Sequence, residues 1–208
     1  VCRAIAEFPQ VAEVVGIDPS PEFVGLAEQH AADIDKVTFE VGVGTDLAFS
    51  DESFDVVVMH TLLTHVAEQD RVLAEAHRVL RADGWLAIFD ADFTTESVAI
   101  CADDPLEVCM DARRVFFVHD PFSVRRMPAA VAAAGFEPGT MASYGQIDTT
   151  NEVGTTGWVD MAAAAMAANG RISEEMAAAY SAEAQRRLEA GTWFSYLSFA
   201  SLIARPAR

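Results

Sequence analysis

The run Val14-Val15-Gly16-Ile17-Asp18, followed at once by Pro19-Ser20-Pro21 and a helical pattern, constrains this chain more than any other segment. Apolar residues that stop on a carboxylate beside a helix start describe a buried parallel strand. In doubly wound α/β proteins the tip of such a strand grips the two ribose hydroxyls of a nucleotide-like cofactor. Asp18 is therefore the first candidate binding residue. Ser20 suits a helix cap and Pro21 a first turn, so a helix opens there and runs to about Ala32. A strand of this kind is normally second in its sheet, after a first strand, a glycine-rich loop and a helix. Only the helix, over residues 1–8, precedes it here.

Further along, Val37–Val41 reads as a short strand and 48–53 as a surface loop. Phe54-Asp-Val-Val-Val-Met59 is a continuous apolar run, the mark of a strand covered on both faces in the middle of a sheet. Between Ala67 and Arg81 the positions Val72, Leu73, Ala76, Val79 and Leu80 recur at helical spacing, and Gly84 stands where a left-handed stop is expected. Trp85–Phe89 is the next strand. Residues 98–118 are partly helical, Asp120-Pro121 opens a helix that stops at Gly135, and 136–147 reads as a strand. Helices near 158–168 and 173–190, parted by Asn169-Gly170, precede a last strand over 193–204. Alternating strands and helices imply a mostly parallel sheet with right-handed crossovers. The whole length reads as a single domain, with 151–190 a helical insertion or lid.

A hydrophobic fraction of 51% over 208 residues suffices for one sizeable core. The formal charge of −18 opposes nucleic acid as a partner, because that affinity comes from basic groups releasing counterions. The arginine pairs 113-114, 125-126 and 186-187 read as solvated helix faces, with a carboxylate clamp as the alternative. Cys2, Cys101 and Cys109 form neither a CxxC pair nor a metal-ligand pattern, which fits free thiols in a reducing cytosol. No apolar run reaches the roughly 18 residues of a membrane span, so the expected location is cytoplasmic and no membrane partner is expected.

The elements GIDPSP, LAFSDESFDVVV, HTLLTHV and RVLRADGWL, taken together over residues 1–93, resemble class I S-adenosylmethionine-dependent methyltransferases. The likeness is to the type 11, quinone-biosynthesis-like small-molecule branch. It implies a Rossmann-like sheet with helices on both faces and an antiparallel strand near one edge. It also implies that Asp18 holds the ribose diol of S-adenosylmethionine and that Pro19 lies near the adenine. Gly42-Val43-Gly44 falls where relatives read Gly-Asp-Ala, and Val43 cannot accept from the adenine amino group as that aspartate does. Backbone groups around Val43 and Gly44, or Asp46 reaching back, must serve instead. His60 and Thr61 fall where the family lines the methionine moiety and the reacting methyl. The first strand and its glycine-rich loop are missing from the resemblance, so the sheet is expected to lack a central strand and to leave the edges of its neighbours unpaired. A longer natural chain is the corresponding expectation.

Methyl transfer is an in-line displacement for which the cofactor supplies the electrophile, so the protein mainly has to aim a small-molecule acceptor. A general base helps a hydroxyl or carbon acid, and His65 and His60 are the candidates. The alternative for His60 is a backbone contact with an incidental ring, and for His65 a helix-cap or packing role. Asp90 and Asp92 lie at the ligand end of the fifth strand of the family sheet, either to orient substrate or to cap the following loop. Asp55 reads as structural. The aromatic run Trp193–Phe199 reads as core or as part of a lid, and Met161, Met166 and Met176 as helix packing or an adaptable wall. Two other functions share these features: a non-catalytic binding module of the same fold, and an NAD-dependent oxidoreductase, whose second strand also ends on an acidic residue.

Overall fold

The computed structural model describes residues 1–207. Helix α1 (Cys2–Ala6) leads to β1 (Val14–Asp18), α2 (Pro21–His30) and β2 (Val37–Val41). The start of α2 is as expected: the Ser20 hydroxyl accepts from Phe23 N and Pro21 takes the first turn. β1 and β2 pair in parallel, with Asp18 opposite Val41, and form a separate two-stranded sheet.

The larger sheet is built from β3 (Phe54–His60), β4 (Leu80–Ser97), β5 (Phe136–Pro138), β6 (Ala142–Asp148) and β7 (Ser195–Pro206). β3 is parallel to β4, β4 is antiparallel to β7, and β5 and β6 lie along the other edge of β7. The fold class is α/β with a mixed sheet, including the expected antiparallel C-terminal strand. Among the described residues β1 and β3 each pair along one edge only, as expected of a sheet without a central strand. The single strand expected over 136–147 is two, because the chain breaks at Gly139, whose amide bonds Ile203 O and whose Cβ, if added, would stand 2.8 Å from that oxygen.

Helices α3 (Gln69–Val79) and α5 (Ser123–Ala133) cover one face of this sheet, burying Leu73, Ala76, Met127 and Val131 against Leu86, Ile88 and Leu202. The other face carries Val56, Val58 and His60 of β3, level with Trp85, Ala87 and Phe89 of β4; on β7, Ile203 is level with Ala87, Ser201 with Phe89, and Phe199 one pair further on, with Ala91. Here Val56 is 50% and Val58 41% exposed. The expectation that β3 is a central strand covered on both faces is therefore corrected: it is an edge strand with one covered face. A continuous apolar run reports tolerance of burial, not the presence of a cover on each side.

Three further helices, α4 (Glu107–Phe117), α6 (Thr156–Ala168) and α7 (Glu174–Glu189), form a cap with its own core of Leu106, Met110, Val159, Met166 and Trp193. The insertion at 151–190 thus folds together with α4. Met166 packs inside, whereas Met161 and Met176 are exposed. Two local expectations are revised. Gly84 is not a left-handed stop; it admits close backbone approach, since a Cβ there would sit 3.0 Å from both Arg81 O and Asp55 O. α5 begins two residues after Pro121, with Asp120 Oδ1 accepting from Phe122 N, and ends as expected at Gly135, φ +89°. Among the described residues no helix is long and apolar enough to cross a membrane.

Candidate functional site

The sequence of β1 delivers Asp18 to a strand tip beside the N-terminus of α2. Its Oδ1 accepts from Ser20 N at 2.8 Å, which fixes the carboxylate in a tight turn. Oδ2 has no hydrogen-bond partner among the described residues, and the residue is half-buried. Pro19 is exposed at the same turn. Gly42 N donates to Asp18 O at 3.1 Å, so the structure brings Asp18 and Gly42 together at the ends of the parallel pair. Beyond them the chain folds back, with Asp46 N on Val43 O at 3.2 Å and the two residues bridged. Asp46 therefore lies close to Val43, while Val43 itself is an exposed apolar side chain. Gly44 rests on Val72 of α3. A free carboxylate oxygen at a strand tip, with an exposed apolar residue and a second carboxylate nearby, fits the sugar and base of an adenosyl group.

At the tip of β3, Thr61 N donates to Phe89 O at 2.8 Å, and His60 Nδ1 lies 2.9 Å from Thr61 Oγ1. Thr61 has φ +47°, a left-handed conformation that a β-branched residue rarely adopts. Such strain marks a turn held in place by its surroundings, and here the holder is Asp90. Fully buried, it accepts from Leu62 N (3.2 Å), Thr64 N (3.3 Å), Thr64 Oγ1 (2.7 Å) and Ala91 N (2.8 Å). Of the two roles read for Asp90, capping the loop is the one the structure contains; the substrate role is corrected, since both oxygens are engaged and none of its surface is open. Asp92 is likewise engaged. Its Oδ1 accepts from Thr94 N (3.1 Å) and from Thr94 Oγ1, and its Oδ2 pairs with Arg125 Nε at 3.0 Å. It clasps α5 to the end of β4 and does not line the site.

His65 sits in a short 3-10 turn, Leu63–His65. Its Nδ1 lies 3.1 Å from Phe117 O and its ring meets Phe93 edge-on at 5.5 Å. A carbonyl partner requires Nδ1 to donate, which leaves Nε2 as the acceptor of the neutral ring. His65 is exposed, so that nitrogen is accessible.

Around His60, sequence reasoning read Phe199 as core or lid and missed Phe89 and Tyr144. The His60 ring stacks on Phe89 at 5.2 Å, Phe89 stacks on Phe199 at 5.1 Å, and Tyr144 tilts toward Phe89 at 5.9 Å. They border a cavity of about 360 Å³. The signal was the parity of Phe89 and Phe199 on paired strands, which shows only once the register of β4 and β7 is known.

The arginine pairs are not uniformly solvated, contrary to expectation. Arg113 is half-buried, pairs with the buried Glu96 and lies over the rings of Phe93 (5.2 Å) and Trp158 (4.8 Å). Burial pushes the Glu96 carboxyl up to about 7, even though Arg113 and Arg114 pull it down. Arg187, also buried, forks onto Asp104 at 2.7 and 2.9 Å. Burial raises the Asp104 carboxyl, but Arg187 and the Ile100 and Leu106 amides outweigh it and hold the group below the ordinary range. The Cys109 thiol, buried in the cap, is pushed up to about 12 and is inert.

Residues 1–88 match the family described as methyltransferase domain. An uncharacterized methyltransferase of Bacillus subtilis, YcgJ, is 32% identical over 89 residues, covering 42% of this chain and 35% of that protein. The ubiquinone/menaquinone biosynthesis C-methyltransferase UbiE of Citrifermentans bemidjiense is 30% identical over 101 residues, 47% of this chain and 42% of that protein. The chain thus aligns with well under half of either relative. The crystal structure of YcgJ superposes with a TM-score of 0.64 at 20% identity, covering 99% of this chain and 86% of that one. The [4+2]-cyclase SpnF superposes with a TM-score of 0.60 at 18% identity, covering 99% and 70%. These superpositions establish a Rossmann-like α/β fold.

Proposed function

We infer that this chain, whose residues 1–88 match the family described as methyltransferase domain, contributes to S-adenosylmethionine-dependent methyl transfer to a small-molecule acceptor by in-line displacement. The observation that carries the reading is the half-free carboxylate of Asp18 at the tip of β1, with Gly42 bonded beside it. When bound, the cofactor supplies a sulfonium-activated methyl carbon. Everything else is the work of this chain. Asp18 Oδ2 accepts from the ribose hydroxyls, and a charged acceptor makes those bonds stronger than neutral ones. The Val43–Asp46 turn borders the adenine. His60 and Thr61 line the methyl end, on a loop whose shape Asp90 fixes from beneath. His65 Nε2 takes the proton from a hydroxyl or carbon-acid acceptor. A base of this kind is worth about 10²–10⁴-fold, whereas holding the reactants at attack distance is worth roughly 7–11 kcal/mol, so aim dominates.

The Asp18→Ala substitution tests this by calorimetric titration with S-adenosylhomocysteine. Losing a charge-assisted pair of hydrogen bonds weakens binding by about 10- to 100-fold, with the folding midpoint only slightly lowered because a single bond to Ser20 N is lost with it. Unaltered affinity in the variant overturns the reading. Tighter binding of NAD than of S-adenosylhomocysteine favours the oxidoreductase instead. The likeness to a cyclase of the same fold keeps a second function in play: a bound cofactor with no turnover would assign the chain to the non-transferring class.

A further inference from the structure

Strand β6 (Ala142–Asp148) pairs with β7 alone among the described residues, so the backbone groups along its outer side meet no strand. Free edges are commonly blunted by charge, by proline or by shortness. The other free edges of this molecule are blunted in these ways: β1 ends on Asp18, β2 carries Glu40 just after Lys36, β3 carries Asp55, and β5 is three residues long with Glu137 and Pro138. β6 is not. The nine residues from Gly139 to Ile147 carry no charge, and the strand contains no proline. Asp148, at its end, is buried and accepts from Thr150 N (3.1 Å), Val153 N (3.4 Å) and Thr155 Oγ1 (3.0 Å), so it presents no charge along the edge. Ala142, Ser143 and Gly145 are exposed, as are Tyr144 at 52% and Ile147 at 63%.

We propose that this edge pairs with the same edge of a second copy of the chain, antiparallel about a two-fold axis at Gly145, joining two five-stranded sheets into one. A strand facing its own copy across such an axis runs antiparallel to it, and the contact is self-complementary. Placing the axis at Gly145 engages all seven residues of β6: Tyr144 faces the partner's Gln146, Ser143 faces the partner's Ile147, and glycine meets glycine at the centre, where identical side chains would otherwise collide. Successive residues point to opposite faces of a sheet, so the exposed Tyr144 and Ile147 are covered one on each side. Charge selects a copy as the occupant. Each copy carries −18, so two of them repel in most orientations, and an uncharged edge is where they approach at least cost. A basic partner is drawn to the acidic surface instead, and β6 offers it no carboxylate.

Sedimentation velocity of the whole chain tests this over a concentration series at about 0.1 M and about 1 M sodium chloride, between which the screening length falls from about 10 to about 3 Å. A reversible dimer is expected, tighter at the higher salt by on the order of 10-fold, because screening removes the repulsion between like-charged copies. Ile147→Lys sets an ammonium into the paired edge and is expected to weaken the dimer by about 10-fold or more, although it makes each copy less negative. Met161→Lys makes the same charge change at an exposed position on α6 and is expected to leave the dimer at least as tight. Far-ultraviolet circular dichroism should be unchanged in both. In a Cys101→Ser background, which removes the exposed native thiol, copies bearing Ser143→Cys and copies bearing Ile147→Cys are expected to cross-link on oxidation when mixed, and neither alone. A monomer at every concentration and salt, a dimer that salt weakens, an indifferent Ile147→Lys variant, or cross-linking of either cysteine variant with itself overturns the proposal.

Discussion

Thr61 concentrates several demands on one residue. Its backbone is held at φ +47°, its amide closes onto Phe89 O, and its hydroxyl meets His60 Nδ1. A β-branched side chain in the left-handed region costs on the order of 1–2 kcal/mol, a cost glycine does not carry. Thr61→Gly is therefore expected to stabilise the fold by about 1 kcal/mol, raising the thermal midpoint by roughly 2–4 °C. It should at the same time loosen His60 and weaken acceptor binding. Thr61→Ala, which drops the hydroxyl but keeps most of the strain, should give the second effect without the first. Calorimetric melting of the three proteins checks this, and a lower midpoint for the glycine variant would show that the turn is not strained. Residues whose positions depend on a strand tip were legible in the sequence: Asp18, Ser20 and His60 are placed by a strand end and a cap, which are local. Asp90 was half legible, because its alternation with Ile88 points it inward but cannot say that four donors wait there.

Among the elements of the cap, α7 is fastened to the segment before α4 by Arg187, which is buried, forks onto Asp104 there and also pairs with Glu183 of its own helix. Hydrogen bonds from Arg186 and then Arg187 hold Glu183 down at about 2, and Asp104 is also depressed. A carboxyl depressed by folding stabilises above its unfolded pKa, and that contribution disappears as pH falls through the folded value. Urea midpoints should therefore fall between about pH 5 and pH 2. Glu96 runs the other way, because its raised carboxyl contributes stability below the ordinary carboxylate range that is lost as pH climbs through about 7. Arg187→Met leaves Asp104 charged and buried without its partner, at a cost of about 3–5 kcal/mol, and should flatten the acid limb. A variant with wild-type stability and an unchanged acid limb would remove Arg187 from this role. Helix positions in the cap were readable from caps and from Gly170, at φ +67°. Their docking was not, because long-range ion pairs such as Arg187 with Asp104 leave no periodic trace. The split of 136–147 into β5 and β6 was equally hidden, since it depends on Ile203 O reaching Gly139 N across the sheet.

At the scale of the whole molecule, the pairing divides into the β1–β2 ribbon and the five-stranded sheet, and the ribbon carries the proposed ribose contact. A two-stranded ribbon is marginal alone. What ties it to the rest is a clasp between the loop after β2 and α3. Leu47 N donates to Glu75 Oε2 (2.8 Å), while Arg78 donates to Phe49 O (2.7 Å), Leu47 O (2.9 Å) and Asp51 (2.8 Å). Arg78 also donates to both carboxylate oxygens of Glu75 (2.8 Å each), the main reason that Glu75 is held down at about 2. Every residue of β1 is only half-buried, whereas Leu86, Ile88, Asp90 and Ala91 of β4 are fully enclosed. Native-state hydrogen exchange should accordingly show β1 and β2 opening at lower free energy than β4 and β7, as a unit of their own. Arg78→Ala removes three ties and should speed exchange in β2 by about 10-fold, equivalent to one or two net hydrogen bonds, leaving β4 and β7 unchanged. Saturating S-adenosylhomocysteine should then slow β1 and β2 more than β4, because a ligand protects first the opening that destroys its own contacts. If all strands exchange together with one free energy, the ribbon is not an independent unit, and the cofactor half of the site is as rigid as the core behind it.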